Sequence, residues 1–186
     1  LLAVAPTSAL SETKNLVFSA IPDQDQSQLI KRFGKVADYL TQKLGVPVEY
    51  VPVKSYSAAI TAFPNDQVQL AWFGGLSGVR ARQLVPGSAA IAQGVEDTEF
   101  QTYFIAHHST GLKPSDSFPA EISGKSFTFG SKGSTSGRLM PEFYIREHLG
   151  KAPKESFAQV GFSGNHSRTI ALVQTGAYQV GATNYK

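Results

Sequence analysis

Leu16-Val17-Phe18-Ser19-Ala20-Ile21-Pro22-Asp23-Gln24-Asp25-Gln26-Ser27-Gln28-Leu29 is the stretch on which the fold turns. A short apolar run is broken by Pro22-Asp23 and followed at once by a helical pattern. Six such residues before a breaker read as a buried strand. Asp25 followed by Gln28 predicts a capping box. Leu29, Phe33, Val36, Leu40 and Leu44 then recur at helical spacing, and Gly45 and Pro47 supply the stop.

Working outward, the alternation continues. Val48 to Val53 reads as a second strand and Ser55 to Phe63 as a short helix ended by Pro64. Gln69 to Phe73 is a third strand, Gly74-Gly75 a turn, and Leu76 to Leu84 a helix with Arg80 and Arg82 on its surface. Ser88 to Gln93 is expected as a fourth strand. This β-α-β-α-β order predicts a parallel sheet with helices on both faces. Ligands of such sheets bind beyond the carboxyl ends of the strands. Pro22 to Asp25, Lys54 to Tyr56 and Phe73 to Ser77 fall at that edge.

The second half repeats the alternation. Strands are expected at Gln101 to Ala106, Ser126 to Gly130, Ser156 to Val160 and Tyr178 to Ala182, and helices at Arg138 to Leu149 and Ser167 to Thr175. His107 to Pro119 reads as loop. The division expected is a lead-in over 1–13, a first lobe over 14–98 and a second over 99–186, the change falling near Gly94 to Phe100. Leu1-Leu2-Ala3-Val4-Ala5 resembles the end of a secretory signal with an Ala-x-Ala cleavage pattern; an ordinary frayed terminus is the other reading. The abrupt end after a buried-looking strand is expected of a fragment.

Composition narrows the function classes. The chain has 186 residues, with 41% hydrophobic and 17% charged, enough apolar material for a packed core. The net charge is only +3, and no like-charge run exceeds two residues, so a nucleic-acid surface is a poor reading. The absence of cysteine removes disulfides, thiolate metal sites and cysteine nucleophiles.

The strongest local signal is Ser131-Lys132-Gly133-Ser134-Thr135-Ser136-Gly137-Arg138, between a strand and a helix. Three hydroxyls beside the free N–H groups and positive end of a helix suit a phosphate-like anion. Simple N-capping by Ser136 within a Ser/Thr loop explains the same residues. The Gly-Lys-Ser/Thr ending of a Walker A loop is absent, which argues against an NTPase. Phe162-Ser163-Gly164-Asn165-His166-Ser167 is a second turn of this kind. His166 would face the same edge and donate to an anion oxygen, or cap a helix in solvent.

Tyr56 follows the second strand and could offer a neutral phenol donor, or lie on the surface. Trp72-Phe73-Gly74-Gly75 could build an apolar wall beside exposed N–H groups; core packing is favoured for one of the two rings. Tyr103 sits in the lobe-crossing strand and could face cleft or core. His107-His108 lacks a third ligand at sensible spacing, so no metal is expected. No Gly-x-Ser-x-Gly elbow and no Gly-x-Gly-x-x-Gly follow a strand, so enzyme chemistry and a cofactor have no anchor.

Several longer motifs, in order, resemble the periplasmic solute-binding proteins of phosphate, phosphite and phosphonate ABC transporters. They are Ala20-Ile21-Pro22-Asp23-Gln24, Val53-Lys54-Ser55-Tyr56-Ser57-Ala58-Ala59, Ala71-Trp72-Phe73-Gly74-Gly75-Leu76-Ser77-Gly78, Ser134-Thr135-Ser136-Gly137-Arg138-Leu139-Met140-Pro141-Glu142 and Phe162-Ser163-Gly164-Asn165-His166. The resemblance spans nearly all of the chain after about Ser11. It implies a type II periplasmic binding-protein fold, with two α/β lobes around a ligand cleft, and no enzyme activity. It implies that Ser134, Thr135, Ser136 and His166 hold a phosphorus oxyanion, that Tyr56 closes over it, and that Tyr103 contributes. The Trp-Phe-Gly-Gly stretch is similar to the phosphite and methylphosphonate subgroup, with Trp72 as the wall facing P–H or P–CH₃. Implied partners are the oxyanion and a membrane ABC permease, for an exported, periplasmic monomer that binds no nucleic acid. Family chains are longer and return to the first lobe through a second hinge, a part expected to be missing here. A ligand-sensing domain on the same fold is the alternative, and a phosphoryl-processing enzyme a more distant one.

Overall fold

A computed structural model describes residues 15–184. The expected signal remnant at the N-terminus lies outside them. The first sheet has three strands, β1 (Leu16–Ala20), β2 (Val48–Tyr50) and β3 (Leu70–Trp72), in the order β2-β1-β3 and all parallel. Each strand is followed by a helix: α1 (Gln26–Leu44), α2 (Tyr56–Ala62) and α3 (Gly75–Leu84). The apolar stripe of α1 buries Leu29, Phe33 and Ala37. Phe33 meets Phe18 of β1 edge-on, the ring centroids 5.5 Å apart. Ile21, Tyr56 and Ala59 form a second cluster with Val53 and Phe73. Gly45 ends α1 in the left-handed region (φ 69°), where its N–H reaches the Thr41 carbonyl.

The second sheet has the order β4-β7-β5-β6, built from β4 (Tyr103–Ala106), β5 (Ser126–Phe129), β6 (Gln159–Phe162) and β7 (Val180–Thr183). β4 is antiparallel to β7, and the other pairs are parallel. Its helices are α4 (Met140–Leu149), the single turn α5 (Pro153–Ser156) and α6 (His166–Gln174). Phe127, Phe129, Ile145, Phe157 and Val180 form the core, with Phe127 stacked on Phe157 at 4.5 Å. Gly181 lets α6 approach β7: a Cβ there would lie 2.9 Å from side-chain atoms of Thr169 and of Val173.

Because β4 runs against β7, its first residue, Tyr103, lies opposite Thr183, at the carboxyl end of the parallel strands. The chain therefore enters the second lobe at its ligand edge, as a crossover from the first lobe requires.

Two local expectations are corrected. Ser88 to Gln93 forms no strand. Its apolar run fits the pattern, but a strand needs a partner, and Ile91 is 80% exposed. The side chain of Asp25 does not cap α1; the Asp25 carbonyl alone accepts from the Gln28 and Leu29 N–H groups (3.0 and 3.2 Å).

Candidate functional site

Four polar side chains from both lobes converge between the sheets and are nearly sealed from solvent. Tyr56 is 3% exposed, Ser134 4%, Ser136 6% and His166 3%. Tyr56 opens α2, immediately after Ser55, whose hydroxyl accepts from the Ala58 N–H (3.0 Å). Ser134 follows β5. Its hydroxyl accepts from the Gly137 N–H at 2.9 Å, so Ser134, not Ser136, is the cap. Residues Thr135–Leu139 then form a π-helical turn, in which the Leu139 N–H reaches the Ser134 carbonyl (3.0 Å). Widened turns of this kind occur mostly at functional sites. The widening leaves the Ser136 hydroxyl facing the ring of His166, Oγ to Nε2 3.4 Å. Gly137 keeps this turn tight, because a Cβ would lie 3.0 Å from Ser134 Oγ and 3.2 Å from His166 Cε1 and would push on both site residues.

His166 is the first residue of α6, and its tautomer follows from its partners. The Asn184 N–H donates to Nδ1 (3.3 Å), and Thr183 Oγ1 lies 3.1 Å from the same atom. Nδ1 is therefore the acceptor, and the ring proton sits on Nε2, toward Ser136. Burial pushes the imidazole pKa from 6.5 down to about 4. At neutral pH the ring is an uncharged Nε2–H donor. Burial, with the Asp23 carboxylate adding to it, also holds the Tyr56 phenol well above its ordinary pKa, while a side-chain hydrogen bond with Ser134 acts the other way. Tyr56 too is a neutral donor.

Among the described residues the two nearest cations in sequence are engaged elsewhere. Arg138, at the end of the hydroxyl motif, pairs with Glu142 at 2.8 Å. The Lys132 ammonium lies over the Phe162 ring, 5.2 Å from its centroid. Among the described residues no cluster of acidic, His or Cys side chains could hold a metal. His107 and His108 pack on each other, and His107 Nδ1 lies 2.7 Å from Ser109 Oγ.

Thr135 belongs to the same turn but reaches across the cleft. Its hydroxyl accepts from the N–H of Leu76, in the first turn of α3, at 2.9 Å. Gly74 and Gly75 line this contact, where a Cβ on Gly75 would lie 3.4 Å from Thr135 Oγ1, ordinary van der Waals distance. Gly133 likewise passes beneath Tyr56, where a Cβ would come within 3.1 Å of the tyrosine Cβ.

Trp72 and Tyr103 lie outside the buried group, 39% and 44% exposed. Trp72 pairs with Ala20 and packs against Phe33, on the α1 face of its sheet. Of the aromatic pair, Phe73 is the one that packs against Ile21, Tyr56 and Ala59. The Tyr103 hydroxyl donates to Gln101 at 2.6 Å. The residues that orient His166, Thr183 and Asn184, are not singled out by any sequence motif. Only the position of β7 at the same sheet edge would have pointed to them. Thr102, whose hydroxyl donates to the Ser136 carbonyl (3.2 Å), is equally silent in the sequence.

The family model for periplasmic substrate-binding proteins of phosphonate ABC transporters matches residues 18–186. The chain belongs to this family. A relative, the probable ABC transporter phosphite binding protein PhnD1 of Prochlorococcus marinus, is 41% identical over 186 residues, covering 99% of this chain and 63% of its own. The structure of PhnD1 from that organism in complex with methylphosphonate aligns with a TM-score of 0.87 at 45% identity, over 92% of this chain and 64% of that one. The phosphate-import protein PhnD of Mycolicibacterium smegmatis is 26% identical over 188 residues, 94% of this chain and 56% of its own. The chain thus spans less than two thirds of the length of these relatives. They are substrate-binding transport proteins, not enzymes. The two-lobed α/β architecture is that of the periplasmic binding proteins.

Proposed function

We propose that the protein is the solute-binding receptor of an ABC importer and captures a small phosphorus oxyanion, phosphite or methylphosphonate, by closing its lobes. The reading rests on one observation: neutral donors from both lobes are buried together at the carboxyl edge of two sheets. The hydroxyls of Ser134 and Ser136 and the Nε2–H of His166 hold the oxyanion from the second lobe. Tyr56 holds it from the first, and Thr135 sits where the lobes touch. Tyr103 stands at the entry of the crossover as a further contact. The lobes divide at 14–98 and 99–186. Likeness to PhnD1, a protein whose structure contains methylphosphonate, supports the choice of anion.

Neutral donors suit reversible capture. Each hydrogen bond to a charged oxygen contributes roughly 1.5–3 kcal/mol, while no buried counter-charge has to be desolvated. Both lobes bond to the ligand only when closed, so binding shifts the population to the closed form. That form is what a membrane permease would engage, and the receptor works as a periplasmic monomer.

Calorimetric titration with phosphite, methylphosphonate, 2-aminoethylphosphonate and phosphate tests the reading. Saturable binding of phosphite or methylphosphonate, with phosphate weaker, is the expected result. Binding of none of the four would overturn it.

A further inference from the structure

The start of α6 carries a second device besides the imidazole. Asn165 is the N-cap of that helix, and its Oδ1 accepts from the Arg168 N–H at 2.8 Å. Its other amide atom points away from the helix. Nδ2 donates to the carbonyl of Gln24, in the turn after β1 of the opposite lobe, at 3.4 Å. One residue on, the backbone N–H of His166 donates to the carbonyl of Asp23 in the same turn, at 2.9 Å. The first turn of α6 is thus docked on two successive carbonyls of the first lobe.

The loop carrying Asn165 is rigid enough to aim this amide. Gly164 takes φ 99°, a conformation that favours glycine and brings the chain sharply into the helix. The Ser163 hydroxyl donates to the Asn165 carbonyl at 2.9 Å and lies 2.6 Å from Thr169 Oγ1. The Thr169 hydroxyl reaches the same carbonyl at 3.1 Å. Backbone and hydroxyls therefore position Asn165 before any contact with the first lobe.

We propose that Asn165 is a positioning residue for lobe closure: its carboxamide oxygen caps α6 while its amide nitrogen fastens that helix to the Gln24 carbonyl of the opposite lobe. The cap is made whether the lobes are open or closed, whereas the fastening exists only when they meet. The amide therefore acts on the liganded, closed form without touching the anion, and keeps His166 fixed against the cleft. The inference rests on the ligand-capture reading above.

The two jobs of the side chain are separable. Serine is a good N-cap but too short to reach Gln24, and alanine does neither. Binding of methylphosphonate, with phosphite as a second probe, is followed by calorimetry and by association and dissociation rates, alongside thermal melting. Asn165→Ser should weaken binding about two- to tenfold, as expected for one lost hydrogen bond. The loss should lie in faster dissociation, because the contact forms after encounter, and the melting temperature should stay at the wild-type value. Asn165→Ala should show the same loss of affinity together with a lower melting temperature. Wild-type affinity in Asn165→Ser overturns the inference, as does an affinity loss accompanied by the same drop in melting temperature as Asn165→Ala. Failure of the wild-type protein to bind either probe overturns the capture reading and this inference with it, so the two failures are told apart.

Discussion

In the second lobe the turns at the cleft are held from within. Ser134 caps its own π-helical turn, Ser163 and Thr169 lock the approach to α6, and Thr183 and Asn184 hold the His166 ring. In the first lobe the turns at the cleft face outward. The 22–25 turn presents two carbonyls and α3 one N–H, and each of these finds its partner on the second lobe. Tyr56 adds a buried phenol from that side. The second lobe is therefore a preformed donor set, and the first is a cover that completes it. Preorganised donors bind with little loss of conformational freedom, so the anion should meet the second lobe first.

Acidification should act hardest, and on the second lobe. His166 has its pKa lowered from 6.5 to about 4 by burial, so between these values the unfolded chain binds more protons than the folded one. Stability is then fully present above pH 6.5 and is lost as pH falls toward 4, by about 3 kcal/mol. Denaturant melts across that range should show the slope in the wild type and a shallower one in His166→Gln. Equal slopes would place the acid sensitivity elsewhere.

Removing a donor from the preformed set comes next. Ser136→Ala should weaken methylphosphonate binding by about 1.5–3 kcal/mol, roughly ten- to a hundredfold, with the fold intact by circular dichroism. The first-lobe counterpart, Tyr56→Phe, removes one hydroxyl and should cost about tenfold. The comparison predicts that its effect lies in dissociation, while Ser136→Ala affects association as well. Stopped-flow rates that reverse this division would break the distinction between the lobes.

The smallest expected effect is electrostatic. Asp23 lies in the first-lobe turn, and its carboxylate pairs with Arg32 at 3.2 Å. Arg32→Gln would leave that negative charge less compensated beside the proposed anion site. The pair is partly exposed, so the loss should be only about twofold to fivefold, shrinking as salt is raised. A salt-independent loss would mean that Arg32 acts through packing on Phe33, over whose ring its guanidinium lies at 4.8 Å.

Much of this architecture was legible in the residues. Period and punctuation marked β1, α1 and the Gly45 cap, because those signals are local. The two hydroxyl- and imidazole-bearing turns stood out because strand-to-helix junctions of parallel sheets gather at one edge. What failed was non-local. Ser88 to Gln93 has the composition of a strand but no neighbour to pair with. Asp25 has the spacing of a capping box, yet its backbone alone serves the helix. Trp72 and Phe73 precede two glycines at the strand end, and only the pleat decides that the Trp72 ring goes to the α1 face with Ala20. Thr183, at the end of β7, and Asn184, just past it, orient the imidazole from seventeen and eighteen residues away in sequence, and no spacing rule links them.

The proposed capture requires neutral donors on the anion, with His166 as an Nε2–H. Nitrogen-15 NMR of the imidazoles at neutral pH, with and without methylphosphonate, tests it most directly. His166 should carry its proton on Nε2 and a bare Nδ1 in both states, and the Nε2–H signal should shift when the ligand is added. A doubly protonated His166 in the complex, or a His166 signal that ignores the ligand, would contradict it.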